Sequence, residues 1–348
     1  MSRMRVAMVG YGDAGRGIHA RLLRACGDTV THVVVRSPER AAAAHADWPG
    51  VMLHDDVEAL VRAIRSGAGG PVDVVVVASP TALHAGHVRT LAATGRPIVV
   101  DKPIATDAVS ARGVVEVAER SHAPLTVFQN RRWDPEQLTL RAVLASGELG
   151  SVHRFERRWE RWRPVPKNRW KENDPAGGGL LLDLGAHLVD SAVQLFGPVA
   201  SVYAELRAVT TTTEDDVFLA LRHRDGVTSH LQASGIAGAP GPRTRVLGSD
   251  GAFVVTEFEG EGAAFAVSGA RAGDAGDTHE GWLLRGSITS PVTRAPGGHE
   301  DFYRAVESWV LDGGPVPVDP WDAVRTAAVL DAARVSSAGG VVVELGST

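Results

Sequence analysis

Arg5-Val6-Ala7-Met8-Val9-Gly10-Tyr11-Gly12-Asp13-Ala14-Gly15 is the stretch whose reading decides the fold. Arg5 to Val9 is a short β-prone run, and the residues from Arg16 to Ala25 have a helical pattern. Between them lies G-x-G-x-x-G. In a strand–loop–helix junction the first glycine allows the tight turn, the second admits a pyrophosphate, and the third lets helix and strand pack closely. The helix N-terminus then offers free N–H groups to the phosphates. Gly10, Tyr11, Gly12, Asp13, Ala14 and Gly15 are therefore candidate dinucleotide contacts. Asp13 is discordant, because a carboxylate beside phosphates repels them, and Arg16 is positioned in sequence to offset it.

Outward from this loop, strands and helices alternate. The second strand, Thr31 to Val35, ends in Arg36-Ser37-Pro38-Glu39-Arg40. A site for NAD carries an acid here, about 20 residues past the loop, to bond the ribose 2′-hydroxyl. Arg36, Ser37 and Arg40 suit a 2′-phosphate instead, which predicts NADP over NAD; a solvated Arg36 capping a short loop is the plainer reading. Helix 41–46, strand 51–53, helix 57–66 and strand 72–77 follow, and Val74-Val75-Val76-Val77 reads as a parallel strand buried on both faces. Ser79-Pro80-Thr81 turns into a helix with Thr81 as its expected N-cap. His84 in the first helical turn is either a packing residue or a neighbour of the cofactor. Strand 98–100 then ends in Asp101-Lys102-Pro103, which puts a lysine at the mouth of a parallel strand, where open α/β sheets bind ligands. Helix 108–121 and strand 125–128 complete six strands of a doubly wound sheet.

The second half has a different grammar. Gln129 to Asp134 is polar and aromatic and reads as a crossing between domains. From His153 to Lys171 there are eight Lys and Arg, two acids and three tryptophans. Arg161, Arg163, Arg169 and Lys171 are either substrate contacts or the cover of a sheet face or oligomer interface. Gly177-Gly178-Gly179 opens a helix over 180–196, on which Asp183, His187 and Asp190 fall at i, i+4 and i+7. An acid and an imidazole among Leu, Val and Ala point to acid–base work or to a metal, for which no third ligand is nearby. Strands at 201–209, 216–223, 226–233, 243–247 and 252–257 read as antiparallel hairpins, 260–281 as irregular, and 301–311 and 319–336 as helices before a strand at 341–345.

Composition excludes several function classes. The chain has 348 residues, enough for two domains, and 44% are hydrophobic. A formal charge of −5 gives no reason to expect nucleic acid or an anionic membrane as a partner, and no apolar run approaches a membrane span. The single cysteine, Cys26, cannot form an internal disulfide, and the N-terminus runs straight into a strand; both fit a cytoplasmic protein.

Taken in order, these motifs resemble the glucose–fructose oxidoreductase/inositol dehydrogenase/rhizopine catabolism (Gfo/Idh/MocA) family. The likeness rests on the Gly10-Tyr11-Gly12 loop, Pro80 to His84, the family's Glu-Lys-Pro box as Asp101-Lys102-Pro103, Asp183-Leu184-Gly185-Ala186-His187 and Pro317-Val318-Asp319. Phe128 to Asp134 and Arg161 to Trp170 further resemble its NADP-dependent scyllo-inositol dehydrogenase branch. The resemblance implies an α/β fold: an N-terminal Rossmann domain, 1–128, and a second α/β domain, 129–348, with a large open, mainly antiparallel sheet and the last helix packing back on the first domain. It implies cofactor contacts from Ser79, Pro80, His84, Asp101, Lys102, Pro103, Gln129, Arg131 and Trp133, with a cis Lys102-Pro103 bond. Substrate contacts would come from Lys102, Asn130, Arg161, Arg163, Arg169, Asp183 and His187, and the catalytic set would be Lys102, Asp183 and His187, without a metal. His187 would take the alcohol proton, Lys102 would stabilise alkoxide charge, and Asp183 would orient both. The implied activity is hydride transfer between NADP and a cyclic polyol or sugar, in a homodimer or homotetramer that covers the open sheet. A keto-reductase acting on a sugar or nucleotide-sugar is the alternative, and a non-catalytic cofactor-sensing regulator a third reading.

Overall fold

The computed structural model describes residues 3–258, 261–262 and 279–346. Two compact units emerge: Met1–Asn130 with Gly298–Ala327, and Arg131–Gly297 with Ala328–Thr348.

The first unit is built on β1 (Arg5–Val9), β2 (Thr29–Val34), β3 (Met52–His54), β4 (Val74–Val77), β5 (Ile98–Val100) and β6 (Leu125–Val127), all parallel, in the order β3-β2-β1-β4-β5-β6. That order reverses at β1/β4, the crevice where doubly wound sheets take dinucleotides. The four valines of β4 and all of β5 are fully buried, as strands covered by helices on both faces must be. The helices are α1 (Arg21–Cys26), α2 (Pro38–Asp47), α3 (Val57–Ser66), α4 (Thr81–Ala92) and α5 (Ala108–Arg120). A wide π-helical stretch, Gly15–Ala20, precedes α1 where the sequence reads as one continuous helix. Thr81 does not cap α4: Pro80, extended at φ −56° and ψ 140°, makes the break, and Thr81 is already the first helical residue. Near the C-terminus, Thr126 Oγ1 donates to Val318 O (2.9 Å) and accepts from Val318 N (3.1 Å), which pins the Pro317-Val318-Asp319 turn to β6.

The second unit begins with α6 (Pro135–Ala145), β7 (Val152–Glu160) and the short α7 (Trp170–Asn173). A π-helical turn, Leu181–Gly185, leads into α8 (Ala186–Phe196). Then come β8 (Val199–Arg207), β9 (Asp216–His223), β10 (Thr228–Ser234), β11 (Thr244–Gly248), β12 (Ala252–Val255), the small pair β13 (Glu257–Phe258) and β14 (Glu261–Gly262), β15 (His279–Arg285) and β16 (Ile288–Thr293). After α9 (Glu300–Asp312) and α10 (Pro320–Gly339), β17 (Val343–Glu344) closes a nine-stranded sheet in the order β16-β15-β12-β11-β7-β10-β9-β8-β17. Every neighbour is antiparallel except β7 and β10. Leu219 and Leu221 of β9, Leu231 of β10 and Val202 of β8 point to one face, against Leu188, Val189, Ala192 and Phe196 of α8 and Val329 to Ala333 of α10. One strand length thus alternates buried and half-buried residues, the signature of a sheet with a single covered face. The expected irregular segment 260–281 falls mostly outside the described residues; its last three residues begin β15. The strands β15 and β16 were not legible in the sequence, since Pro291 and the Gly286-Ser287 turn interrupt their pattern.

Candidate functional site

The glycine loop has the form a dinucleotide needs. Gly10 adopts φ +96°, and a Cβ there would lie 2.7 Å from Ala78 O; a Cβ on Gly15 would lie 2.2 Å from Gly10 O. Those two glycines are required by the protein's own packing. Gly12 is not: its Cβ would meet only the Arg40 guanidinium, at an ordinary 3.5 Å. The remaining reason for glycine there is close approach from outside, which fits a pyrophosphate. A cleft of ≈ 600 Å³ runs past Gly12 between the first helix and α2, with Asp13, Glu39 and Arg40 on its walls.

Arg16 does not offset Asp13. Its Nε donates to Asp47 Oδ2 (2.7 Å), and Asp47 also accepts from the Tyr11 hydroxyl (2.9 Å), which in turn accepts from Trp48 Nε1 (2.9 Å). Burial, then the Asp47 hydrogen bond, pushes the Tyr11 hydroxyl up to about 12, so it stays a donor. Arg40, whose guanidinium lies beside Gly12, and Arg36 at the end of β2 are both exposed and without an ion-pair partner among the described residues, and Arg21 and Arg24 line the same cleft. Ser37 caps α2, its Oγ accepting from Arg40 N at 3.4 Å.

At the C-terminal ends of β4, β5 and β6 the loops are tied together. His84 is 1% exposed; its Nε2 lies 2.8 Å from Ser79 O and its Nδ1 3.0 Å from Pro103 O. The ring bridges the loop after β4 to the cis Lys102-Pro103 turn after β5, and burial lowers its pKa. Ser79 Oγ pairs with His87 Nδ1 at 2.9 Å. Asp101 Oδ1 accepts from Lys102 N (2.8 Å). Gln129 follows β6, is 2% exposed, and its Oε1 has no hydrogen-bond partner among the described residues. A buried amide with unspent acceptor capacity is what a site for a polar ligand group leaves behind. These residues fit a dinucleotide cofactor.

In the second unit Asp183 and His187 do not share one lining. The π-helical turn Leu181–Gly185 carries Asp183, whereas His187 and Asp190 belong to regular α8. An i→i+5 turn shifts the helical phase, so the i, i+4, i+7 alignment read from the sequence is broken between 183 and 187. Asp183 lines a pocket of ≈ 100 Å³ with Arg161, Arg163, Arg169 and Lys171, and Lys171 Nζ donates to its Oδ1 at 2.6 Å. Arg169 is itself held by Glu172, Nη2 to Oε1 2.8 Å. The other acids on the wall are taken up by backbone: Glu214 Oε1 accepts from Leu181 N, and Asp215 from Val209 N and Thr210 N.

His187 lines a second, smaller cavity of ≈ 20 Å³ with Trp159, Arg131 and Asp190. Asp190 is buried and bound by both arms of Arg132, Nε at 2.9 Å and Nη2 at 2.6 Å, which makes it structural. Asn130 is buried at the end of the first unit, Arg131 pairs with Asp134 (3.1 Å) and lies 4.7 Å over Trp159, and Trp133 is half-buried. The same cavity is lined by a cluster that sequence reasoning missed. Glu136 accepts from Arg243 Nε (3.1 Å) and Thr244 Oγ1 (2.5 Å) and pairs with Arg157 Nη2 (2.9 Å), while Arg157 Nη1 reaches Gln137 Oε1 (2.6 Å) and Ser191. Despite burial, the two guanidiniums hold Glu136 down at about 2, and burial lowers Arg243 to about 10. Its partners come from three separate stretches of chain, so no local spacing announced it.

Comparison with known proteins agrees with this geometry. Residues 4–129 match the oxidoreductase family, NAD-binding Rossmann fold, and residues 137–254 the GFO/IDH/MocA C-terminal domain. The chain is 25% identical over 343 residues to the scyllo-inositol 2-dehydrogenase (NADP(+)) IolW of Bacillus subtilis (strain 168), covering 96% of this chain and 94% of that one. Over 199 residues it is 34% identical to a putative UDP-kanosamine synthase oxidoreductase subunit of Amycolatopsis mediterranei (strain S699), covering 57% of this chain and 53% of the other. The solved structure of a putative oxidoreductase from Klebsiella pneumoniae superposes with a TM-score of 0.82 at 29% identity, over 100% of this chain and 96% of that one. The chain therefore belongs to the GFO/IDH/MocA oxidoreductase family, with an NAD-binding-type Rossmann unit and the family's C-terminal domain.

Proposed function

We propose that this protein is an NADP-dependent dehydrogenase of a cyclic polyol or sugar, acting on a CH–OH carbon. The observation that carries the cofactor choice is the pair of exposed, unpaired guanidiniums of Arg36 and Arg40 beside Ser37, with no acid at the end of β2. The NADP-linked relative with full-length coverage supports the same choice. Gly10 to Gly15 would cradle the pyrophosphate, Arg36, Ser37 and Arg40 the 2′-phosphate, and Ser79, Pro80, Asp101, Pro103, Gln129, Arg131 and Trp133 the remainder. A bound nicotinamide supplies the hydride chemistry. In this reading Lys102 hydrogen-bonds the reacting oxygen and stabilises its developing charge, and His187 holds or releases the hydroxyl proton. Asp183 is the acid that fixes polar partners, with Arg161, Arg163, Arg169 and Asn130 as substrate contacts. We include in the proposal a cytoplasmic homodimer or homotetramer, in which a second copy covers the half-buried face of the nine-stranded sheet.

The test is turnover of scyllo-inositol and a panel of sugars with NADP⁺. Lys102→Ala and His187→Ala are expected to lower kcat by about 10²-fold or more. Unchanged kcat in Lys102→Ala rejects the assignment. One observation favours a second reading, a keto-reductase of a nucleotide-sugar: five cationic residues, Arg161, Arg163, Lys167, Arg169 and Lys171, line the Asp183 pocket. Under that reading KM rises steeply with salt, whereas a neutral polyol shows no such dependence.

A further inference from the structure

Behind Asp101 lies a buried chain of polar groups that the π-helical stretch after the glycine loop, the strand-end box and α9 each supply in part. His19, in the π-helical stretch after the loop, is 0% exposed. Its Nδ1 is 2.6 Å from the hydroxyl of Tyr303, which is also 0% exposed and sits in the first half of α9. Its Nε2 faces Asp101 Oδ2 at 3.7 Å and makes no hydrogen bond among the described residues. The ring is held in place by Phe128, centroids 4.3 Å apart, and by the edge of Tyr303. The other Asp101 oxygen accepts from the Lys102 amide at 2.8 Å.

The donor order follows from chemistry. Asp101 is held in its charged form, against burial, by His19 first and then by Lys102 and His84. With the Nε2–H turned towards the carboxylate, Nδ1 is the acceptor. Tyr303 then donates its hydroxyl proton to Nδ1, and burial raises its pKa well above the ordinary value, which keeps that proton on. The tautomer of His19 is thus set by Tyr303, as an orienting group sets the tautomer of any working imidazole.

We propose that His19 and Tyr303 are positioning residues for Lys102: Tyr303 fixes the His19 ring, His19 holds the outer oxygen of Asp101, and Asp101 thereby sets the placement and charge environment of Lys102. Neither residue touches substrate or cofactor in this assignment. The inference rests on the proposed role of Lys102 but predicts something separable from it. With the Nε2–H removed, Asp101 is a stronger anion free to turn towards Lys102, and the lysine becomes harder to deprotonate.

The experiment measures the pH dependence of Lys102 labelling by an amine-reactive reagent, read by mass spectrometry, in the full chain and in Tyr303→Phe, His19→Leu and His19→Gln. This readout requires no substrate. Tyr303→Phe removes one oxygen and His19→Leu the whole donor; both are expected to raise the apparent pKa of Lys102 by about 0.5 to 1 unit. Gln reaches the Nε2 position with an N–H donor and is expected to restore the wild-type value. With scyllo-inositol and NADP⁺, kcat should fall several-fold in Tyr303→Phe and His19→Leu while the dissociation constant for NADPH stays within about twofold. Wild-type labelling curves in a folded Tyr303→Phe overturn the proposal, and so does a His19→Gln that behaves like His19→Leu. If instead Lys102→Ala keeps its turnover while the labelling shifts appear, the proposed role of Lys102 fails and the positioning chain stands.

Discussion

Two groups of charge in the second unit are built from the same chemistry and differ in everything else. Glu136 with Arg157 and Arg243 is buried, with each side chain about 5% exposed, and its carboxylate is held by both guanidiniums and by the Thr244 hydroxyl. Asp183 pairs with Lys171 at the wall of a pocket, with 27% and 40% of the two side chains exposed. The first group cannot exchange its partners without leaving a charge in a low dielectric. The second can, because water or a ligand hydroxyl can replace Lys171. Burial with several partners marks a structural cluster; a part-exposed carboxylate beside a long, exposed cation marks a site that can meet something else. Perturbed charge alone does not distinguish them, since the largest perturbation in the unit belongs to the structural one.

The comparison breaks most visibly at Glu136. Glu136→Gln leaves two buried guanidiniums without their anion and is expected to cost about 3–5 kcal/mol of unfolding free energy. Urea or guanidinium denaturation measures this, and a loss under 1 kcal/mol would mean that the cluster is wetter than its burial indicates. Asp183→Asn is expected to do the opposite. Its stability should stay within about 0.5 kcal/mol of wild type, while kcat falls by about 10²-fold. A matching fall in stability would move Asp183 into the structural class.

Acid sharpens the same contrast. Glu136 is held at about 2, below the unfolded carboxylate value of about 4.3, so its contribution is fully present above about pH 4.3 and is lost as pH falls towards 2. Burial lowers His84 and His223, so the unfolded chain takes up protons that the native state refuses once pH drops below about 6.5. Stability should therefore decline in two stages, first below about pH 6.5 and again below about pH 4.3. A denaturation midpoint that is flat between about pH 7 and 5 would contradict the histidine assignment, and one that is flat between about pH 4.3 and 2 the Glu136 assignment. The smallest effect is expected at Lys171. Lys171→Met should change stability by less than about 1 kcal/mol, because the pair is exposed, and lower kcat/KM by about tenfold through Asp183.

How much of this was legible in the chain follows from how local each feature is. The parallel sheet announces itself because its strands are buried on both faces and become continuous apolar runs such as Val74 to Val77, separated by glycine and proline turns. The glycine loop is equally local, since Gly10 and Gly15 pack against backbone a few residues away or on the adjoining strand end. The second sheet shows its hairpins at 224–226 and 249–251, but its one parallel pairing, β7 with β10, joins residues some seventy positions apart and leaves no local mark. The π-helical turn under Asp183 is invisible for another reason: Leu-Leu-Asp-Leu-Gly satisfies a regular helical pattern, and the widening shows only in which pocket Asp183 lines. Glu136, His19 and Tyr303 were missed because each reads as an ordinary member of its helix, and their partners are separated from them by up to 284 residues. Local features such as the glycine loop were readable; polar groups that find each other across the core were not.

The most direct test of the account is a fluorescence titration of the protein with NADPH and, in parallel, with NADH. Arg36, Ser37 and Arg40 predict NADPH binding tighter by about tenfold or more, with the preference lost in Arg36→Ala. Equal or tighter binding of NADH would contradict the assignment of a 2′-phosphate site at the end of β2, and binding of neither would remove the dehydrogenase reading itself.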